Sequence, residues 1–323
     1  MKKRIEPKLT EHYQKSEEYE IFLDKLNSIL SPYQKEEYKD IKEKYPTLHI
    51  VGSPRSGTTL LTQLLAAHTN IGYINNLIAA FWQAPVYGIQ LSKKLLKTDE
   101  ITPTYQSDCG RTQGINEPHE FGYFWSTLLD YKEMKEHDSE SVKLIDWERL
   151  RLILNNMTHA FNSPILFKSF LLGWHIENMQ KVLPNTCWVH IKRNVRDNAL
   201  SILNLREKML GSYEQWAGPK PKEYVWLKNE SYFRQIAGQI YFLEKKYRKQ
   251  LSNISEDKKL ELTYEQLCDD PQTILKKICS LLHRNNGNTE IISLPPGKFT
   301  KSNHNIFTPD SKSIQKAMNY FYN

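Results

Sequence analysis

Hydrophobic and polar positions alternate along the chain in blocks that predict strands followed by helices. The first apolar run ends with Ile50 and Val51, and a helical pattern begins near Thr58 and runs to about His68. Further apolar runs at 164–168 and 186–191, and another that begins at Lys259, are each followed by a helical pattern. This alternation predicts an α/β protein with a central parallel sheet flanked by helices.

The remaining segments predict one domain over residues 1–323. Residues 1–45 form a polar helical arm whose apolar stripe is expected to end at Ser31 and Pro32, 48–283 form the core, and 284–323 form a C-terminal segment. The stripe consists of Tyr19, Phe22, Leu23, Leu26 and Leu30. Helices are predicted over 147–162 and 223–251. Residues 211–222 fit either a lid over a substrate or a plain surface connection.

A glycine-rich loop separates the first strand from its helix. Gly52 and Gly57 stand where a Walker A loop has its glycines, but Thr58 occupies the position of the Walker lysine. The only cation in the loop is Arg55. Such a loop can bind a phosphate through backbone N–H groups and the helix N-terminus. Without the lysine, and without a recognisable strand that ends in a magnesium-binding acid, it is poorly suited to ATP. A plain strand–helix turn is the alternative.

Two further strand ends carry cations. Lys168 ends the second strand, at the edge where open α/β sheets bind ligands, although a solvated lysine would look the same. Arg193 follows the third strand, and Ser201 lies eight residues later on the next helix. The sequence therefore predicts anion binding at several neighbouring strand ends.

Composition and charge indicate the protein's compartment but do not decide which anionic partner it binds. The chain has 323 residues and a formal net charge of +7, which suits an anionic cofactor, nucleic acid or an acidic membrane surface. Its four cysteines have no zinc-binding spacing and indicate a reducing compartment. No signal peptide and no membrane-spanning apolar run is visible. We expect a cytoplasmic protein without a metal or a transmembrane segment.

Three motifs in order resemble those of the PAPS-dependent sulfotransferases, where PAPS is 3′-phosphoadenosine 5′-phosphosulfate. The loop from Arg55 to Thr59 resembles the family's 5′-phosphosulfate loop. The segment from Arg193 to Ser201 matches R-[DN]-P-x-D-x-x-x-S except for Val195, and the segment that begins at Tyr264 resembles Y-E-D-L followed by D-P. The resemblance covers roughly residues 48–283. It implies the P-loop NTPase-like sulfotransferase fold, in a bacterial-type branch distinct from the cytosolic and tyrosylprotein branches.

The resemblance also implies roles for individual residues. The sulfuryl group of PAPS would pass in line to a hydroxyl or amine, leaving adenosine 3′,5′-bisphosphate, with no metal. Lys168 would steady the bridging oxygen, and Tyr264 would lie near the adenine. Relatives close a basic C-terminal segment over the 3′-phosphate, which makes Lys301 and Lys298 candidates. The 5′-phosphosulfate would be held by Arg55, Ser56, Gly57, Thr58 and Thr59, and the 3′-phosphate by Arg193 and Ser201.

The general base is not at either position known in the family. Phe170 replaces the histidine of the cytosolic branch, and residues 73–76 contain no glutamate. Glu117, His119 and Glu120, beside a run of aromatic residues, are the remaining candidates, because a histidine and a carboxylate can both accept a proton. These residues could equally be the first turn of a helix.

Other functions remain open on the sequence alone. An ATP-dependent P-loop kinase, a catalytically inactive nucleotide-binding protein and a nucleic-acid-binding protein are the alternatives, and we expect no nucleic acid partner. The acceptor could be a small molecule such as a phenol, a sugar, a lipid or a peptide. Neither the acceptor nor the oligomeric state can be predicted from these residues.

Overall fold

In the part of the chain that the structure describes, five parallel strands form one sheet in the order β2-β3-β1-β4-β5. The computed structural model describes residues 7–96, 104–302 and 309–322. The strands are β1 (Thr47–Val51), β2 (Gly72–Tyr73), β3 (Ile165–Lys168), β4 (Cys187–Lys192) and β5 (Lys259–Thr263). The predicted α/β class with a central parallel sheet is confirmed.

Helices cover both faces of this sheet. They are α1 (Glu17–Glu37), α2 (Thr58–His68), α3 (Asn76–Ala79), α4 (Pro85–Leu95), α5 (Gly122–Leu128), α6 (Ser139–Lys143), α7 (Trp147–Phe161), α8 (Ile176–Val182), α9 (Val195–Leu210), α10 (Tyr224–Leu227), α11 (Tyr232–Leu251), α12 (Tyr264–Asp269), α13 (Pro271–Arg284) and α14 (Pro309–Tyr322). None of the helices in the described ranges is long and apolar enough to cross a membrane.

Strand β1 lies at the centre of the sheet because its side chains are apolar or hydrogen-bonded on both faces. All five of its residues are buried. Leu48 and Ile50 pack into one apolar cluster with α2 and α13, while Val51 belongs to a second cluster on the opposite face. Neighbouring β3 and β4 pair with β1 in parallel register. The loops that follow β1, β3 and β4 therefore meet at one edge of the sheet, where open α/β folds bind their ligands.

The N-terminal arm differs from its prediction. Helix α1 continues through Pro32 to Glu37, and Phe22 of the expected apolar stripe is exposed. Its buried face is largely polar: Asn27 donates to the Ala80 carbonyl and accepts from the Gln83 N–H at 2.7 and 2.8 Å. Hydrophobic periodicity cannot detect a face that is buried through hydrogen bonds. The helix predicted over 223–251 is likewise interrupted, between α10 and α11.

Acid is expected to destabilise the protein through His49, which is buried in β1 between the rings of Phe167 and Trp188. Burial lowers the pKa of His49 from 6.5 to about 3. The unfolded chain therefore binds a proton that the folded chain excludes. The contribution of His49 to the free energy of unfolding is fully present above about pH 6.5. It falls by about 1.4 kcal/mol for each pH unit between there and pH 3.

Urea unfolding at pH 8, 6 and 5 measures this slope. In His49→Gln, this slope of the free energy of unfolding with pH should be smaller by the contribution of about one proton. His283→Gln, an exposed control on α13, should keep the full slope. An unchanged slope in His49→Gln would contradict the assignment.

Candidate active site

The loop between β1 and α2 is held rigidly by two helices. Ser53 Oγ donates to Asn198 Oδ1 at 2.8 Å, and Asn198 Nδ2 donates to the Pro54 carbonyl at 2.6 Å. The Ser53 N–H donates to Glu244 Oε1 at 3.1 Å. Gly52 is required here because a Cβ would lie 2.4 Å from the Ile191 carbonyl oxygen. We call residues 52–59 the anion loop, since they end in the unpaired N–H groups of the first turn of α2.

Substituting Gly57 tests whether the shape of the anion loop is required. Gly57 has φ +100°, and an added Cβ would lie 2.6 Å from Tyr264 Cδ2. Gly57→Ala should therefore lower the free energy of unfolding by about 1–3 kcal/mol. Gly297→Ala is the matched control, because no atom lies within 4 Å of its added Cβ. Equal stability of the two variants in urea unfolding would contradict the strained geometry.

Arg55, Arg193 and Ser201 come together above the sheet edge. Arg55 Nε donates to Ser201 Oγ at 3.1 Å, and Arg193 Nη1 donates to the Arg55 carbonyl at 3.0 Å. Burial lowers the pKa of Arg55, and the nearby positive charge of Arg193 lowers it further. Within the described residues, neither guanidinium forms a salt bridge with a carboxylate. This excess of positive charge favours a bound anion.

Two buried polar atoms at this place have no partner in the described structure, Ser56 Oγ and Arg193 Nε. Buried polar groups are nearly always hydrogen-bonded, so each such atom calls for an explanation. Both belong to segments that the sequence predicted to bind phosphate. A ligand with phosphate oxygens would fit these donors.

The C-terminal segment reaches the same site through Ser302. Arg193 Nη2 donates to the carbonyl and, at 3.1 Å, to the hydroxyl of Ser302. The guanidinium also lies over the ring of Tyr264, 4.6 Å from its centroid. Lys301 instead forms a salt bridge with Asp269 at 2.7 Å, and Lys298 is exposed. In the C-terminal segment predicted over 284–323, residues 303–308 and 323 lie outside the described residues.

Lys168 connects the anion loop to the segment 117–120. Its Nζ lies 2.7 Å from Thr59 Oγ1 and 2.7 Å from Glu120 Oε1. Lys168 is 6% exposed, whereas Glu120 is 36% exposed and can be reached by a substrate. Glu117 is buried and accepts a hydrogen bond from Gln63 at 2.9 Å. Among the three base candidates, Glu120 is thus the carboxylate that contacts Lys168.

His119 is neutral and carries its proton on Nε2. Residue 119 as a whole is exposed, but the imidazole has many protein atoms around it. This loss of solvation lowers the pKa of His119 from 6.5 to about 4; the Glu120 charge raises the pKa and the Lys168 charge lowers it. The Phe121 N–H donates to Nδ1 at 2.9 Å. A neutral imidazole has one donor and one acceptor nitrogen. In this conformation Nδ1, the acceptor nitrogen, is already bonded to the Phe121 N–H, and Nε2 is the donor nitrogen.

Comparison with known proteins assigns these features to a family. A sequence model described as "Sulfotransferase family" matches residues 46–285. The chain belongs to the sulfotransferase family. The matched range includes every residue predicted for the site except the tail candidates Lys298 and Lys301. No curated protein matches the chain in sequence.

Solved sulfotransferase structures share the fold of this sulfotransferase. Sulfotransferase STF9 from Mycobacterium avium aligns with a TM-score of 0.53 and 12% identity over 87% of this chain and 76% of its own. STF1 from Mycobacterium tuberculosis H37Rv aligns with a TM-score of 0.51 and 15% identity over 94% and 80%, respectively. The bacterial-type sulfotransferase fold with its P-loop-like core is thereby confirmed.

Several residues of this sulfotransferase site were not found from the sequence. Asn198 lies one helical turn before Ser201, so the spacing could have indicated it. Glu244 and Ser302 carry no such signal, because each reaches the anion loop or Arg193 from a distant part of the chain. Contacts of this kind depend on how whole elements pack.

Proposed function

We propose that this sulfotransferase moves a sulfuryl group from PAPS to a hydroxyl or amine of an acceptor, leaving adenosine 3′,5′-bisphosphate. The observation that carries the proposal is the convergence of Arg55, Arg193 and Ser201 beside the anion loop. Two adjacent strand ends then offer two anion-binding positions, as a donor with a 3′-phosphate and a 5′-phosphosulfate requires. The four unpaired cysteines support a reducing compartment such as the cytoplasm.

Each phosphate has its own set of donors in this proposal. The first-turn N–H groups of α2 and the hydroxyls of Ser56, Thr58 and Thr59 bind the 5′-phosphosulfate, with Gly57 allowing the close approach. Arg193 and Ser201 bind the 3′-phosphate. Arg55 lies between the two positions, and Tyr264 contacts the adenosine. Lys301, which pairs with Asp269, contributes positive charge at the edge of the site without a direct contact.

Lys168 and Glu120, which form an ion pair, act on the leaving phosphate and on the acceptor, respectively. PAPS supplies an activated sulfuryl group whose leaving phosphate gains negative charge as the bond breaks. Lys168, beside Thr59, stabilises that charge. Glu120 accepts the acceptor's proton, while His119 donates a hydrogen bond through Nε2 to orient the acceptor. Sulfur bonds to the acceptor oxygen or nitrogen in line with the departing phosphate oxygen.

Thermal unfolding with two ligands tests the donor. Adenosine 3′,5′-bisphosphate should raise the unfolding midpoint, because it binds the folded state alone. ATP with magnesium should raise it less, since Thr58 replaces the lysine that would reach the β- and γ-phosphates. A rise with ATP and magnesium only would overturn the proposal in favour of a kinase. Transfer of sulfur label from PAPS to a panel of phenols, sugars, lipids and peptides would then identify the acceptor.

A further inference from the structure

A buried histidine on β4 is enclosed by two carboxylates. His190 is 1% exposed; its Nε2 lies 2.8 Å from Glu244 Oε2 and its Nδ1 lies 3.5 Å from Glu261 Oε1. Both ring nitrogens therefore face acceptors that have no proton to donate, an arrangement that suits the imidazolium ion. Burial alone lowers the pKa of His190, but hydrogen bonds and charges from the two carboxylates outweigh it and raise the pKa above its ordinary value.

Glu244, one of these two carboxylates, also holds the anion loop. Glu244 Oε2 contacts His190, and Glu244 Oε1 accepts the Ser53 N–H at 3.1 Å. A carboxylate is thus bonded to the backbone of the loop that we propose for phosphate binding. Like charges repel strongly where protein excludes water, so an uncompensated Glu244 would oppose the donor.

The ion pairs that involve His190 balance in charge when it is protonated. Glu261 also pairs with Lys192, so two carboxylates face one lysine and His190. The ring of Tyr247 meets His190 edge to face at 6.1 Å, and Tyr322 lies near Glu244 and Arg248. Burial raises the pKa of both tyrosines far above neutrality, so they remain uncharged. Arg248 donates to the backbone carbonyl of Glu244, at 3.4 Å, and not to its carboxylate. Loss of the His190 proton would therefore leave the Glu244 carboxylate without its ion-pair partner beneath the anion loop.

We propose that His190 is a positioning residue whose positive charge allows Glu244 to hold the anion loop without repelling the donor's phosphates. This inference rests on the proposed function. Donor affinity then depends on pH: it is full while His190 is protonated and declines as pH rises through the pKa of its folded state. The established family assignment does not require this dependence, because neither His190 nor Glu244 belongs to the strand-end motifs.

Calorimetric binding of adenosine 3′,5′-bisphosphate by three variants separates charge from structure. His190→Gln should weaken binding on the order of tenfold at pH 6.5, because Glu244 then lacks its counter-charge. Glu244→Gln should weaken binding less than His190→Gln does, since it removes the negative charge while its amide oxygen still accepts the Ser53 N–H. The double variant should recover most of the affinity that His190→Gln loses. His49→Gln, another buried strand histidine, is the matched control and should bind normally.

The pH profile supplies a readout that a purely structural role would not change. Phosphates themselves titrate near pH 6, so each variant is compared with the unaltered protein at the same pH. The difference between His190→Gln and the unaltered protein should shrink as pH rises from 6.5 to 9. A constant difference, or equal weakening of binding by Glu244→Gln and His190→Gln, would overturn this inference but not the proposed function. Absence of bisphosphate binding by the unaltered protein would overturn the proposed function as well.

Discussion

Replacing Arg193 with alanine should weaken the binding of adenosine 3′,5′-bisphosphate by about a hundredfold or more. Hydrogen bonds to a charged group contribute about 1.5–3 kcal/mol each, and every 1.4 kcal/mol corresponds to a factor of ten. The substitution removes the guanidinium proposed for the 3′-phosphate. It also removes the hydrogen bond to the Arg55 carbonyl and the contact with the Tyr264 ring. The ligand-induced rise in the unfolding midpoint should disappear.

Arg284→Ala is the control for Arg193→Ala, because it also removes one arginine. Arg284 is exposed at the end of α13, near Asp257 and Cys187 at the opposite edge of the sheet. Its removal changes the net charge equally but leaves the anion loop intact. Calorimetry with both variants therefore separates a direct contact between Arg193 and the ligand from the long-range effect of the protein's net charge. If both variants lost the same affinity, Arg193 would contribute only long-range charge.

Substituting Glu120 with glutamine should lower the rate of sulfuryl transfer by about 10²–10⁴-fold. The amide cannot accept the acceptor's proton, although it can still contact Lys168 through its oxygen. Binding of adenosine 3′,5′-bisphosphate should change little, because Glu120 is not among the residues proposed to bind its phosphates or its adenosine. The rate is measured with labelled PAPS and the acceptor on which the unaltered protein is most active.

Glu117→Gln is the natural comparison for this experiment. Glu117 is a neighbouring carboxylate, and its amide replacement can still accept the hydrogen bond from Gln63. Transfer should continue at close to the normal rate. His119→Gln should raise KM for the acceptor more than it lowers kcat, since we assign His119 to hydrogen bonding rather than proton removal. Full activity of Glu120→Gln would rule out Glu120 as the base.

The sequence predicted the parts of the site that depend on local chemistry. The anion loop, the start of α2 at Thr58, and the strand ends at Lys168 and Arg193 follow from glycine spacing and apolar runs. The choice among Glu117, His119 and Glu120 required the structure, because all three lie within four positions and differ only in their partners. Glu244 could not be predicted at all, since it reaches Ser53 across 191 positions of the chain.

The pairing of β1 with β4 sets a fixed spacing for whatever binds at their ends. Val51, the last residue of β1, is in register with His190, so β4 extends two residues further before Arg193 begins the next segment. Adjacent strands lie about 4.8 Å apart, held by backbone hydrogen bonds that side-chain substitutions do not alter. The two anion positions proposed above would therefore keep a fixed separation. We expect a nucleotide with a single phosphate group to fill only one of them, so the sheet itself would disfavour such nucleotides.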